Sequence, residues 1–447
     1  MKALFCRSAA FFLSGLLVAS TMAAPPVGWR ADGSGAYPDA DPPTEWSENK
    51  NVVWKTKLPG NSFGSPLVLE KQIFVVSDPA ELLCVNPADG KVLWQRSHSL
   101  EELFDAETAR KVTAEFKRFK DESGRLRREM DKAKDDKERK EEFKKQLEAV
   151  EKEQDDLLKK YPLPPAIENR GSGNSAPTPV SDGKNVYAAF GNGIVCAYTL
   201  DGERLWVKYL EYSKLGFGHA NSPVLIDGKL LVHFKDLVAL DAQTGEPVWR
   251  TALEARYATP VPVEVGTTAA VVDPIGAVVR VSDGKVLLRH GSLGASECSL
   301  IAHRGLLYTT EGQARALRLI PAGDDAVKLE QLWQTKDAGG RRTPSPVLHD
   351  GVLYGVTTEG TLDAFDAKTG EALYREKLNI GEVYASATLA GKYLFFGSTK
   401  GATVVIEAGR EYKEVARNQL EGYGSCPVFS GQRMYLRTNK YLYCIGK

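Results

Sequence analysis

PSPVLHDGVLYGVTTEGTLDAFDAKTGEALYREKL, residues 344–378, decides the fold. It reads as four short strands, 346–350, 352–358, 361–367 and 372–378, joined by Asp350-Gly351, Glu359-Gly360 and Lys368-Thr369-Gly370. Each turn carries a glycine that can take a positive φ, which tight hairpins require. Apolar residues alternate within the runs, the pattern of half-buried antiparallel strands. A single four-stranded sheet of this kind cannot bury both of its faces alone, so the rest of the chain is expected to supply copies.

The copies fall into register on one rule. Taking the Pro of Ser345-Pro346 as an anchor, an apolar residue of the second strand follows seven residues later. The same spacing links Pro66 to Ile73, Pro179 to Val186, Pro223 to Leu230, Pro262 to Ala269, Ser299 to Leu306, Ala387 to Leu394 and Pro427 to Met434. The residue before each anchor is small or β-branched: Ser65, Thr178, Ser222, Val261, Cys298, Ser345, Ser386 and Cys426. A four-stranded repeat of roughly 40 residues is the signature of a β-propeller. The expected fold is therefore all-β, an eight-bladed propeller of four-stranded antiparallel blades, with small anchor residues crowding a central channel.

The first blade-like strand, around Trp54, has no three strands before it, and the last repeat, from Cys426, stops after three. The N-terminal strand is expected to complete the last blade and close the ring, which removes free sheet edges. Trp54, Trp94, Trp206, Trp249 and Trp333 recur at one blade position and read as structural residues packed between neighbouring blades.

The remaining segments divide as follows. Residues 1–23 carry Lys2 and Arg7, a short apolar run and Thr21-Met22-Ala23, a secretory signal with cleavage near Ala23. The run is too short to span a bilayer, and no later segment is apolar enough to do so. Residues 24–50, rich in Pro, Gly and Asp, read as an extended arm; Asp39 and Asp41 lack calcium-loop spacing. Residues 51–98 hold the closing strand and the first blade, and 166–447 the other blades. Between them, 99–165 is dense in Lys and Glu with sparse apolar residues at helical spacing, a coiled-coil hairpin insertion. Its turn falls at Gly124 or at Asp135-Asp136, and Pro162, Pro164 and Pro165 end it.

Formal net charge is zero, which argues against a dedicated nucleic-acid binder. Cys6 lies in the leader and five of the six cysteines remain. Cys84, Cys196 and Cys444 read as small buried third-strand residues matching Ala239 and Ala364, so few disulfides are expected. The six histidines show no metal-ligand spacing. No catalytic constellation emerges, so neither catalytic nor metal-ligating residues are assigned.

Ala239-Leu-Asp-Ala-Gln-Thr-Gly245-Glu-Pro-Val-Trp249 and Ala364-Phe-Asp-Ala-Lys-Thr-Gly370-Glu-Ala-Leu-Tyr374 resemble the repeat of PQQ-type, quinoprotein-like propellers. The stretches around Cys84–Trp94 and Ala197–Trp206 are looser copies. The resemblance implies the propeller fold and two kinds of relative. One is quinone-dependent dehydrogenases, usually with a disulfide between adjacent cysteines, calcium held by acidic and amide side chains, and an Asp base; this chain has no Cys-Cys pair. The other is non-catalytic, such as the propeller subunit of the bacterial outer-membrane protein assembly machinery.

The residues just before each anchor should line one mouth of the channel. They include Asn61, Asn174, His219, Asn221, Tyr257, Glu297, Arg341, Arg342, Tyr384 and Tyr423, polar or aromatic and convergent once the ring closes. The expected function is an exported, periplasmic or secreted, monomeric non-catalytic scaffold without cofactor. Its expected partners are proteins at the cell envelope, met through this funnel and the helical insertion. The alternatives are a dehydrogenase using PQQ with calcium and a carbohydrate-binding propeller.

Overall fold

The structure is a computed structural model that describes residues 27–98, 104–133, 136–161, 173–211, 213, 215, 217–289, 293, 297–323, 325–335 and 339–447. The expected signal segment and the prolines after the helical insertion lie outside the described residues. Among those described, the strands form eight antiparallel blades; seven have four strands and the seventh in order has a fifth. Six blades run from inner to outer strand in chain order. The ring closes where the N-terminal strand Val52–Lys57 pairs antiparallel with the C-terminal strand Tyr441–Ile445, Trp54 opposite Cys444 and Lys55 opposite Tyr443.

The middle strands are buried along their whole length, as in Ile73–Ser77 and Glu81–Val85. Alternation survives on outer strands such as Val52–Lys57 and on the long first strand of the fourth blade, Val261–Val265. The reason is blade stacking: both faces of each middle strand meet another sheet. Eight apolar clusters among the described residues each join two neighbouring blades, so the core is a ring of interfaces. The cluster between the eighth and first blades brings Tyr435, Leu442 and Cys444 against Ile73, Val75 and Leu83.

The repeat motif acts at these interfaces. The indole Nε1 groups of Trp54, Trp94, Trp206, Trp249 and Trp333 donate to carbonyls of the next blade, at Pro87, Leu200, Ala242, Val281 and Ala367. Outer strands bulge just before the tryptophan, turning Val53, Leu93, Leu205, Val248 and Leu332 outward. The extra residue re-aims the indole towards the neighbouring blade. In the second blade the hairpin is one residue shorter, so Ala197 and not Cys196 lies opposite Trp206. The five described cysteines are buried and unpaired.

Two anchors fall elsewhere than the seven-residue rule puts them. Ile301 pairs with Tyr308 as Val347 pairs with Tyr354, so the fifth blade is anchored at Leu300 after Ser299. In the fourth blade the first hairpin is longer, Val261 pairing with Val272, and the equivalent pair is Thr259-Pro260. A longer hairpin defeats a fixed spacing, whereas a hydroxyl residue before the anchor holds in both blades.

The arm crosses the ring on the side of the inner-strand hairpins. Val27 bridges to Ser181 of the second blade, and Ala36–Tyr37 adds a parallel strand beside Leu389 and Ala390 of the seventh. Trp46 is buried near Phe395, and Asn418 grips the Thr44 carbonyl and the Trp46 amide.

The insertion is a helical hairpin, α1 over Ala106–Lys132 and α2 over Lys137–Lys160, N-capped by Asp105 and Asp136. Gly124 lies inside α1, so of the two expected turn positions it is excluded; Asp135 lies outside the described residues, and Asp136 caps α2. The insertion's apolar cluster, with Val112, Phe116, Phe119 and Val150, contains, among the described residues, only those of the hairpin and its flanks. None of the described helices is long and apolar enough to cross a membrane.

Candidate functional site

The chain enters seven of the eight innermost strands through a hydroxyl residue followed by its anchor, and the eighth through Cys426; these entries meet around the axis. The amide of Ser65 donates to Thr178 Oγ1 at 3.1 Å, that of Thr178 to Ser222 Oγ at 2.9 Å, and that of Ser222 to Thr259 Oγ1 at 2.9 Å. Thr259, Ser299 and Ser345 continue to Ser299, Ser345 and Ser386, each at 2.9 Å. The Cys426 amide returns to Ser65 Oγ at 2.9 Å. Seven side-chain oxygens thus link the eight blades in a circle, broken only where Cys426 presents sulfur, a weak acceptor.

This circle lies in the wall of a cavity of about 420 Å³ on the channel axis. Above it stand Phe63, Phe217, Tyr257, Glu297, Arg341, Glu382 and Tyr384, and Trp29 of the arm lines it as well. Trp29 and Arg30 sit in a tight turn closed by reciprocal backbone bonds between Gly28 and Ala31. Arg30 and Ala31 both have positive φ, 52° and 62°. The arm therefore covers one end of the channel and leaves a cup open at the other.

The walls of the cup are aromatic. The Phe63 and Tyr384 rings are 6.0 Å apart, and those of Phe217 and Tyr257 6.3 Å. Phe217 is 63% exposed at the mouth. Gly424 lets Phe63 lie flat, since a Cβ there would come within 2.7 Å of the ring. Arg341 grips Glu297 through two bonds, Nη2 to Oε1 at 2.7 Å and Nε to Oε2 at 2.9 Å. This contact holds the Arg341 pKa above its ordinary value.

Of the mouth residues expected from sequence, Tyr257, Glu297, Arg341 and Tyr384 line the cavity. Asn61 is an exposed loop residue whose carbonyl accepts from the Asp78 amide. The other five are buried. Asn174 is held at its backbone by Asp78. His219 packs on Phe234 with ring centroids 4.6 Å apart, and burial drives its pKa down to about 3. Asn221 donates to the carbonyls of His233 and Arg256. Arg342 pairs with Asp363, and the Tyr423 hydroxyl meets Thr403. Adjacent residues of an extended approach point to opposite sides, so Arg341 faces the cavity and Arg342 the interior. Trp29, Arg30, Phe63 and Phe217 were not singled out from sequence; a Ser or Thr before seven of the eight observed anchors is the signal of the circle.

A family model described as outer membrane protein assembly factor BamB matches residues 43–126, 165–245 and 233–447. The chain belongs to this BamB family. The unmatched stretch between the first two segments falls mostly on the helical hairpin. Among solved structures, BamB from Moraxella catarrhalis is similar at 14% identity and a TM-score of 0.57, covering 89% of this chain and 97% of that one. Quinohemoprotein alcohol dehydrogenase ADHIIG from Pseudomonas putida HK5 is similar at 12% identity and a TM-score of 0.52, covering 92% and 78%. The computationally designed Ika8 protein has 8% identity and a TM-score of 0.54, over 88% and 98%. At such identities the likeness is one of fold. Curated protein sequences contain no significant match.

Proposed function

We propose that this BamB-family chain is an exported, non-catalytic scaffold that binds protein partners at the cell envelope, through the cup and the helical hairpin. The observation that carries this reading is the chemistry of the cup. Its wall is built from aromatic rings and a Glu297–Arg341 pair that already neutralises its own charge. Aromatic rings around a concavity suit apolar side chains of a partner. The family description, an outer-membrane assembly factor, supports the same reading. The periplasm, the monomeric state and the channel-mouth residues Tyr257, Glu297, Arg341 and Tyr384 as partner contacts belong to this proposal.

The residues of the cup do not suit a quinone held with calcium. Among the described residues the carboxylates on its wall are Glu297, engaged at both oxygens by Arg341, and Glu382, and no Asn or Gln joins them. Among the described residues no group of three His, Cys, Asp or Glu side chains is spaced to hold a metal ion. Hard cations such as calcium need six or more oxygens from several residues.

Crosslinking in native envelopes tests the proposal, comparing the full chain with a deletion of residues 100–160 and with Tyr384→Ala. Loss of distinct adducts in each variant is expected. Identical adduct patterns in all three would remove cup and hairpin from the reading. Dye-linked oxidation of alcohols after addition of PQQ and calcium would overturn its non-catalytic part.

A further inference from the structure

Beneath the cup lies a guanidinium with no ion pair among the described residues: Asp32 acts on it from beyond ion-pair distance, and the Trp29 ring centroid is 5.2 Å away. Arg30 is 1% exposed, and its Nη2 donates to the carbonyls of Pro346 and Ala387 at 2.7 and 2.9 Å. Those residues directly follow Ser345 and Ser386 of the hydroxyl circle, so the guanidinium is held against the circle. Its Nε and Nη1 have no hydrogen-bond partner. A buried guanidinium with two idle donor atoms is costly, and negative charge held nearby lowers that cost. Arg30 is also held at a positive φ of 52°, a backbone state that non-glycine residues adopt rarely and mostly where the surroundings impose it.

The circle adds a second set of donors. Each hydroxyl accepts a backbone amide, which leaves its O–H free to donate, and none of these protons has a protein acceptor among the described residues. Six of the seven hydroxyl residues line the cavity. Inward-facing O–H donors above a buried guanidinium form an anion site by the same chemistry that binds carboxylates elsewhere. The rings of Phe63, Tyr384, Phe217 and Tyr257 above it favour an apolar or aromatic body on that anion.

We propose that the floor of the cup binds the carboxylate of an apolar or aromatic acid, held by the O–H donors of the hydroxyl circle, with Arg30, which lies behind the circle and does not itself line the cavity, supplying the positive charge. The source is either a small organic acid or the C-terminus of a polypeptide. The inference rests on reading the cup as a binding cavity. Its selectivity comes from the floor, since Arg341 is already paired and Glu382 adds negative charge at the wall. Burial lowers the Arg30 pKa, and a bound carboxylate would reverse that shift.

The test is titration calorimetry on the mature chain with four probes. These are N-acetyl-phenylalanine, its amide, and a hexapeptide ending in phenylalanine as free acid and as amide. The acids are expected to bind at least about tenfold more tightly than the amides, and Arg30→Gln to erase that difference. If the hexapeptide acid binds more tightly than N-acetyl-phenylalanine, the ligand is a chain terminus; equal or reversed affinities identify a small acid. Equal binding of acids and amides would overturn the anion site while leaving the cup a binding cavity. Failure of all four probes at millimolar concentration would overturn both. Should Arg30→Gln not fold, the acid–amide comparison on the unmodified chain still decides.

Discussion

Gly370 lies flat on the indole of Trp333: a Cβ on it would come within 2.5 Å of the ring. The same indole donates to the Ala367 carbonyl at 2.9 Å. Gly90, Gly202, Gly245 and Gly284 stand in the same relation to Trp54, Trp94, Trp206 and Trp249. The glycine of the repeat motif thus serves the tryptophan of the preceding blade, and the motif is an interface between blades written into one strand pair.

This relation makes Gly370→Ala more damaging than an ordinary turn substitution. Gly351 has a nearly equal φ, 76° against 77°, but nothing within 4 Å of a Cβ. Gly351→Ala should cost about 1–2 kcal/mol from backbone strain alone. Gly370→Ala should cost a further 1–3 kcal/mol, roughly, for displacing the indole. Urea unfolding of both variants measures the difference; equal midpoints would refute the indole contact.

The hydroxyl circle predicts opposite outcomes for two substitutions. Ser345→Ala leaves the Ser299 amide without its partner and should cost about 1–3 kcal/mol. Cys426→Ser offers the Ser386 amide an oxygen acceptor in place of sulfur, and should leave the melting temperature unchanged or raise it. Thermal melts followed by circular dichroism check both.

Acid should destabilise the fold before ordinary carboxylates titrate. His98 is buried between the Ala80 carbonyl and the Tyr198 hydroxyl, and burial pushes its pKa to about 4; His219 falls to about 3. Both are lowered, so between the unfolded value of about 6.5 and the folded one the unfolded chain binds more protons. Their contribution is complete above about pH 6.5 and is lost as pH falls towards 4. Asp273 acts in the opposite sense: burial raises it to about 6, so its contribution is lost as pH rises through that value. Burial also lowers His233 and raises Asp78; three histidines outweigh two aspartates, and the melting temperature should drop from pH 7 to pH 4.5. His98→Gln should flatten that slope; a melting temperature that rises on acidification would contradict the assignment.

The hairpin should be removable. Its buried side chains form a cluster that, among the described residues, includes none of the propeller. Deleting residues 100–160 should leave the β-sheet circular dichroism intact and shift the melting temperature by no more than a few degrees. A collapse of the propeller signal would show that the hairpin braces the ring.

Much of the fold was legible because each blade repeats one local pattern. Ring closure followed from a strand too many at one end and a strand too few at the other. The arm was legible only as an irregular segment, because its pairing with Leu389 and its turn at Arg30 depend on residues hundreds of positions away. The candidate site was half legible. Position before an inner strand selects residues near the axis but not the side they face, as Arg341 beside Arg342 and Tyr423 beside Gly424 demonstrate. Trp29 reaches the cavity from a segment without a repeat signal, whereas Phe63 stands two residues before Ser65, as Tyr257 and Tyr384 stand before Thr259 and Ser386.

A photo-crosslinking residue placed at Phe217, on the open mouth, tests most directly whether the cup receives protein. Val248, exposed on an outer strand of the neighbouring surface, serves as the control position. In intact cells, Phe217 should yield discrete polypeptide adducts that weaken in Tyr384→Ala and are missing from the control. Adducts no stronger at Phe217 than at Val248 would contradict a protein-binding cup.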